Sequence, residues 1–364
     1  MITFVDSINQ ISHQPVNRTD MIRIEDNVAL RPLNTFGLQG TVRRLVTYTD
    51  PSDLTELFAD PGGWKTGKVT HIGAGSNLLF VGDYDGTILK SAIESRPVTT
   101  AESAETISMT AGAGMLMDDL CTEIARQGLW GTENLSGIPG QVGAAAVQNI
   151  GAYGVEISDL IEEVHLFDTE TTTHITMKGA QCGYGYRTSI FKRSPLHGRY
   201  IVTAVTLRLS KLPAPRLSYG HLAVRVSAFP SPDEIRREVI AMRDSKLPDW
   251  HRYGNAGSYF KNVETDLSVY ERICSMVEPD EVPHYRLDDG RVKIPTAWLI
   301  ERCGWKGECE GDAMVWQKQP LVLVNATGNA TAADIIRLEE KIISSVHTRF
   351  GVTIEPEVEK IKDI

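Results

Sequence analysis

Three side chains stand in settings where they could do chemistry, and each has a plainer reading beside it. Arg187 lies in Gly183-Tyr184-Gly185-Tyr186-Arg187-Thr188-Ser189-Ile190-Phe191-Lys192, where aromatic and glycine neighbours can hold a guanidinium rigid and partly dry. A planar cation of that kind fits a carboxylate or a developing enolate, although surface cation–π packing would use the same residues. Ser258 lies in Gly254-Asn255-Ala256-Gly257-Ser258-Tyr259-Phe260-Lys261-Asn262, where small residues expose the hydroxyl and two rings exclude water. No nucleophile elbow surrounds it and no histidine stands at an informative spacing, so a hydrolase nucleophile is disfavoured. A serine can still protonate a strongly basic carbanion in a water-poor pocket. Glu355, in Gly351-Val352-Thr353-Ile354-Glu355-Pro356-Glu357, adds a carboxylate on backbone that the next proline holds extended, or it is a solvated strand end. Lys246, before Pro248, supplies a further cation or ends a helix in solvent.

Two glycine clusters must position these groups. His71-Ile72-Gly73-Ala74-Gly75-Ser76-Asn77-Leu78-Leu79-Phe80 reads as a strand running into a tight turn whose free N–H groups suit a phosphate. It is no dinucleotide fingerprint, because Leu78 stands where a third glycine belongs, and an ordinary glycine turn would look similar. The run from Ser136 through Gly137-Ile138-Pro139-Gly140-Gln141-Val142-Gly143-Ala144-Ala145-Ala146 to Gly151-Ala152-Tyr153-Gly154 is small or permissive almost throughout. Such a stretch is unfavourable in a core unless a ligand fills the space beside it. A large flat cofactor with a pyrophosphate, such as FAD, has the shape that both clusters need.

Around them the chain divides into lobes, with a small β-α-β pattern over Val42–Lys90, whose helix begins at Pro51-Ser52-Asp53, and a helix over Leu116–Arg126. Strands at Val164–Asp168, His174–Met177 and Ile201–Leu209 suggest a mixed sheet in a second lobe. A helix over Asp233–Arg243 then leads into a last lobe with a helix at Thr296–Arg302 and a strand at Leu321–Val324. That lobe also carries an amphipathic helix with Ile335, Leu338, Ile342 and Val346 on one face and a capping box at Thr331 and Asp334.

The sequence has 364 residues and a net charge of −10, which suits two or three lobes and argues against a nucleic-acid partner. Its five cysteines are scattered without a CxxC, so neither a disulfide framework nor a metal knuckle is expected, and a reducing cytoplasm fits. No segment reads as a signal peptide or membrane span.

In order, Asn34-Thr35-Phe36-Gly37, Gly73–Asn77, Ile138-Pro139-Gly140 through Gly154, Tyr186–Lys192, Gly254–Asn262 and Glu355-Pro356-Glu357 resemble the bacterial UDP-N-acetylenolpyruvoylglucosamine reductase family, in its longer-loop class. The resemblance implies an α+β protein: a two-lobed FAD-binding part of the vanillyl-alcohol-oxidase (PCMH-type) kind and a C-terminal α+β substrate-binding domain. The expected division is an N-terminal extension at 1–27, FAD-binding lobes at 28–96 and 97–243, and a substrate domain at 244–364. The resemblance also implies that NADPH reduces FAD, after which the enol ether of the UDP-sugar is reduced, with Arg187, Ser258 and Glu355 as catalytic residues. FAD contacts are implied for Asn34, Thr35, Gly73, Ala74, Gly75, Ser76, Asn77, Ile138, Pro139, Gly140, Gly143, Ala144, Ala145, Gly151 and Gly154. Substrate contacts are implied for Tyr219, Lys246, Asn262 and Gln319, and a monomer without metal is expected. Two other readings stay open: a flavin oxidase on the same fold, and a sugar-nucleotide-binding protein without catalysis.

Overall fold

The β-rich run at the start of the chain closes into one sheet in the structure, a computed structural model that describes residues 22–60, 63–277 and 282–363. β1 (Ile22–Ala29) pairs antiparallel with β2 (Thr41–Tyr48), which runs parallel to β5 (Tyr84–Ser91), and β3 (Val69–Ile72) runs parallel along the far side of β5. Helix α1 (Pro51–Ala59) makes the crossover that leads into the parallel strands. Asp50 caps it by accepting from Ser52 N at 2.8 Å, and Pro51 occupies a first-turn position where an N–H would have no partner. Because β1 starts at Ile22, the extension expected at 1–27 is too long; residues 1–21 lie outside the described ones.

The second lobe is a five-stranded sheet in the order β11-β10-β12-β7-β6, built from β6 (Val98–Glu102), β7 (Thr106–Gly112), β10 (Ile161–Asp168), β11 (Thr173–Lys178) and β12 (Tyr200–Ser210). Every pairing in it is antiparallel, so the mixed sheet expected here is corrected; the parallel pairs belong to the first lobe. β12 is buried from Ile201 to Leu207 on both faces, which is why its alternation is incomplete. Ile201 joins Val46, Tyr48, Leu54 and Leu89 in a core shared by the two lobes, while Val202, Val205 and Leu207 pack with the second lobe's own helices.

Helix α2 (Met117–Arg126) appears as the spacing predicts. Helix α3 (Val142–Gln148) forms inside the glycine-rich run and is not foreseen from its composition. It docks on β7 and β12 because its residues are tiny: a Cβ on Gly143 would come within 2.8 Å of Ala113 Cβ. Just after it, β8 (Gly151–Ala152) and β9 (Val155–Glu156) form a two-stranded ribbon.

Helix α4 (Pro232–Lys246) buries Ile235, Val239 and Met242 against Trp130 and Leu222, so it belongs to the second lobe, and the boundary expected at 243/244 moves past Lys246. The last unit holds two small sheets. β13 (Gly254–Asn255), β19 (Leu323–Asn325), β18 (Ala313–Val315) and β17 (Cys309–Glu310) form one; β14 (Val263–Thr265), β16 (Val292–Ile294) and β15 (Tyr285–Arg286) form the other. Helices α5 (Leu267–Cys274), α6 (Thr296–Arg302) and α7 (Ala332–Phe350) complete it. The capping box is present: Asp334 N donates to Thr331 Oγ1 at 3.3 Å, and Asp334 accepts from Thr331 N at 2.8 Å.

The chain then returns to the first lobe, where β20 (Glu359–Ile361) pairs in parallel with β4 (Leu78–Phe80). The last unit thus sends its final strand back onto the first lobe. Its exit strand passes the place where all three units meet.

Candidate active site

The turn between β3 and β4 is built around Gly75, whose φ of +72° is a left-handed conformation and whose Cβ would lie 1.9 Å from Leu33 O. The N–H groups of Ala74, Gly75 and Ser76 donate to no protein acceptor among the described residues, so the turn presents free donors to the space beside it. Gln141, Gly143, Ala144, Val147 and Gln148, at and within α3, form the opposite wall, with Lys192 and Glu359 at one side. The small residues are obligatory, since a Cβ on Gly73 would lie 2.9 Å from Ala144 Cβ. Replacing Gly75 by Ala should therefore distort the turn, and the variant should purify with FAD bound at least about tenfold more weakly, read by fluorescence titration.

This crevice runs into a second cleft through the shared Ser76, Asn77, Gln141, Ala144 and Gln148. The second cleft brings Arg187, Ser258 and Glu357 together with Ile138, Pro139, Gly140, Ala145, Gly151 and Arg243. Three expected cofactor residues line neither space. Asn34 turns inward, its amide donating to Leu30 O at 2.7 Å and accepting from Leu38 N at 3.0 Å. Thr35 donates to Asn255 O at 2.6 Å, and Gly154 lies against Tyr219, where a Cβ would be 3.4 Å from Tyr219 Cβ. Asn34 and Thr35 thus order the chain rather than wall the crevice.

Arg187 has a φ of +53°, unusual for a side chain of its size. Its guanidinium is fixed by donating to Gly151 O at 2.7 Å and Asn149 O at 3.3 Å, and its Nε lies 3.1 Å from a Glu357 carboxylate oxygen. It does pack over the Tyr186 ring at 5.2 Å, but inside the cleft rather than on the surface. Ser258 follows Gly257, whose φ is +70°, and Asn255 Oδ1 accepts from Gly257 N at 2.9 Å. That turn leaves the serine hydroxyl open to the cleft.

The carboxylate expected at Glu355 stands outside the cleft, and Glu357 lines it instead. Glu355 has a side chain 72% exposed and pairs with Lys261 at 3.3 Å, whereas Glu357 is only 14% exposed and faces Arg187. Glu357 N donates to Tyr259 O at 2.7 Å and Lys261 N donates to Glu355 O at 2.9 Å, so a short antiparallel contact carries Glu357 into the cleft with Ser258. Burial holds the Glu357 carboxyl above its ordinary value, with Arg187, Lys192 and Lys261 pulling the other way.

Tyr219, Lys246, Asn262 and Gln319 do not line the wall that holds Ser258. Tyr219 sits edge-on to Tyr153 at 5.8 Å, and the exposed Lys246 gives its carbonyl to Trp316 Nε1 at 3.0 Å. Asn262 Oδ1 accepts from Thr296 N at 3.1 Å, and the Gln319 carbonyl closes a turn with Val322 N at 2.9 Å. Besides Glu357, sequence reasoning missed Arg243 and Lys192, the last residue of the Tyr186–Lys192 segment. Burial pushes the Lys192 ammonium below its ordinary value, Glu357 and Glu359 oppose that, and no carboxylate pairs with it among the described residues.

Residues 249–361 match the family model described as UDP-N-acetylenolpyruvoylglucosamine reductase, C-terminal domain, and residues 62–177 match that of an FAD binding domain. The UDP-N-acetylenolpyruvoylglucosamine reductase of Bacteroides fragilis (strain YCH46) is 43% identical over 337 residues, spanning 92% of this chain and 99% of its own length. That of Azoarcus sp. (strain BH72) is 40% identical over 349 residues, spanning 94% and 99%. Among solved structures, the UDP-N-acetylenolpyruvylglucosamine reductase of Thermus caldophilus superposes with a TM-score of 0.66 at 26% identity, over 94% of this chain and 100% of that one.

Proposed function

Since the chain belongs to the UDP-N-acetylenolpyruvoylglucosamine reductase family, we propose that Arg187, Ser258 and Glu357, where its three units meet, carry out the proton chemistry of that reaction. The chain is an FAD-dependent oxidoreductase that reduces the enolpyruvyl group of UDP-N-acetylenolpyruvoylglucosamine to UDP-N-acetylmuramate, a step in making peptidoglycan precursors, with NADPH as hydride donor. Its fold is α+β, a two-lobed FAD-binding part of the vanillyl-alcohol-oxidase kind with a C-terminal domain.

The crevice fits FAD on its own chemistry. Free N–H groups at Ala74, Gly75 and Ser76 suit a diphosphate, and the wall of Gly143 and Ala144 leaves room for a long flat group. Lys192 adds a half-buried ammonium whose nearby carboxylates are already engaged, Glu357 by Arg187 at 3.1 Å and Glu359 by His197 at 3.2 Å. Lys192→Met should accordingly weaken FAD binding roughly 10- to 100-fold in a fluorescence titration, while Lys192→Arg should retain most of the affinity. An unchanged dissociation constant would remove Lys192 from the cofactor site.

FAD held in this crevice would supply the terminal vinyl carbon of the substrate with a hydride drawn from NADPH. The new C–H bond leaves an electron pair on the neighbouring carbon, delocalised into the substrate carboxylate. Ser258 Oγ–H protonates that carbon, completing the reduction, and the serine recovers its proton from water. Arg187, fixed by two backbone carbonyls, pairs with the carboxylate that gathers charge. Glu357 acts beside it: its buried carboxyl tends towards the protonated form, and a second negative charge from the substrate pushes it further that way, so it donates a hydrogen bond instead of repelling.

Tyr219, Lys246, Asn262 and Gln319 are assigned to the UDP-sugar on the same reading. So are a monomer and a cytoplasmic location, with roles in cell shape and division through the wall. Free Cys121, Cys182, Cys274, Cys303 and Cys309 suit a reducing compartment, and no helix among the described residues is long and apolar enough to cross a membrane.

One observation carries the reading: a proton donor, a cation and a buried carboxyl share one cleft that opens into the turn-lined crevice. Its test is anaerobic. NADPH should bleach the bound flavin, and the enolpyruvyl UDP-sugar should restore its colour without oxygen. Reoxidation by oxygen alone would instead make the chain an oxidase, and a colourless protein that binds the sugar would make it a binding protein.

A further inference from the structure

Thr35 is a node between the turn that faces the cofactor crevice and the loop that carries Ser258. Its N–H donates to Gly75 O at 3.2 Å, and its carbonyl accepts from Asn255 N at 3.0 Å. Its hydroxyl donates to Asn255 O at 2.6 Å, the shortest of its four bonds, with Gly75 O a long second acceptor at 3.4 Å. Asn255 passes the constraint on, because its Oδ1 accepts from Gly257 N at 2.9 Å, one residue before Ser258, and its amide donates to Tyr253 O at 2.8 Å.

The segment holding Thr35 cannot slide. Asn34 ties it to Leu30 and Leu38, and a Cβ on Gly75 would lie 1.9 Å from Leu33 O. On the other side a Cβ on Gly254 would lie 2.0 Å from Phe36 O, which also accepts from Asn325 Nδ2 at 3.2 Å. Phe36 meets Tyr259, the residue after Ser258, edge-on at 6.3 Å. Thr35 itself is 6% exposed, so its hydroxyl has no access to bulk water as a substitute partner.

We propose that the Thr35 hydroxyl is a positioning residue for proton transfer: by bonding to the Asn255 carbonyl it fixes the height of Ser258 above the Gly73–Asn77 turn, and so above the cofactor. The two backbone bonds survive substitution, and one of them, from Thr35 N to Gly75 O at 3.2 Å, still holds the turn when the long hydroxyl contact to Gly75 O goes. Only the hydroxyl bond distinguishes threonine from the isosteric valine. Losing it frees the serine loop by a fraction of an ångström while leaving the turn, and with it cofactor binding, in place. Hydride transfer from NADPH does not use Ser258; substrate reduction does.

The inference rests on Ser258 being the proton donor, and a double-mutant cycle separates the two claims. Thr35→Val, Thr35→Ser, Ser258→Ala and the Thr35→Val/Ser258→Ala pair are compared as FAD-loaded enzymes, with flavin absorbance followed anaerobically in each half-reaction and FAD affinity measured by fluorescence. Thr35→Val should slow reoxidation by the enolpyruvyl UDP-sugar roughly 10- to 100-fold, with FAD affinity and reduction by NADPH within about twofold. Thr35→Ser should restore most of the rate, and Thr35→Val should add nothing once Ser258 is Ala. Equal slowing of both half-reactions, a matching fall in FAD affinity, full additivity in the pair, or no effect of Thr35→Val would each overturn the positioning role. If Ser258→Ala itself leaves reoxidation untouched, the donor assignment fails instead.

Discussion

Replacing Ser258 by Ala should leave reduction of the bound flavin by NADPH within about twofold of the parent enzyme and slow reoxidation by the enolpyruvyl UDP-sugar by roughly 10²- to 10⁴-fold, the span of a lost general acid. The asymmetry follows from the chemistry, because only the second half-reaction places a proton on carbon. The structure removes the usual confounder: Ser258 is exposed to the cleft, and its turn is held by Asn255 and Gly257, not by its own hydroxyl. Alanine therefore deletes the proton and little else. A serine is a weak acid, so the step depends on a strongly basic carbon and on the exclusion of water once substrate fills the cleft. Rapid-mixing measurements under anaerobic conditions read both halves on one sample. A comparable loss in both would assign the serine to structure and not to chemistry.

How much of this was legible in the chain differs from element to element. Helix α1 begins at Pro51, α6 spans Thr296–Arg302, and α7 carries its box at Thr331 and Asp334, because caps and apolar periodicity are local signals. Helix α3 escaped because Val142–Gln148 is glycine and alanine at the positions that matter; the docking against β7 and β12 that makes it a helix lies far away in sequence. The extension and the lobe boundaries shifted for the same reason. β1 is held by β2, α4 by Trp130 and Leu222, and β20 by β4, and none of those partners is visible in a local window. Among the site residues, the glycine turn and the segment around Ser258 declared themselves by composition. Asn34 and Thr35 did not, since an amide and a hydroxyl look alike whether they face a ligand or a neighbouring carbonyl.

The two glutamates around Pro356 show that limit most sharply, and they supply the second large prediction. Glu355 and Glu357 are two residues apart, so an extended backbone points them the same way and spacing cannot choose between them. What separates them is contact from the other units: Asn77 of the first lobe donates to Glu357 O at 3.1 Å and Arg187 of the second meets its carboxylate at 3.1 Å, whereas Glu355 pairs with Lys261 in solvent. Glu357→Ala should slow substrate-dependent reoxidation roughly 10²- to 10³-fold with FAD still bound, the scale of losing a group that stabilises transition-state charge. Glu355→Gln should stay within about twofold, because its exposed pair with Lys261 contributes little. The pH dependence carries the sign. Burial raises the Glu357 carboxyl above the 4.5 of an ordinary glutamate, so its hydrogen-bond-donating form persists to higher pH than usual and is lost as pH rises through that raised value. Glutamine donates at every pH. The alkaline loss of activity that this carboxyl imposes should therefore flatten in Glu357→Gln and remain in Glu355→Gln. A slow Glu355→Gln beside an active Glu357→Ala would move the carboxyl chemistry to the outer face and separate it from Arg187.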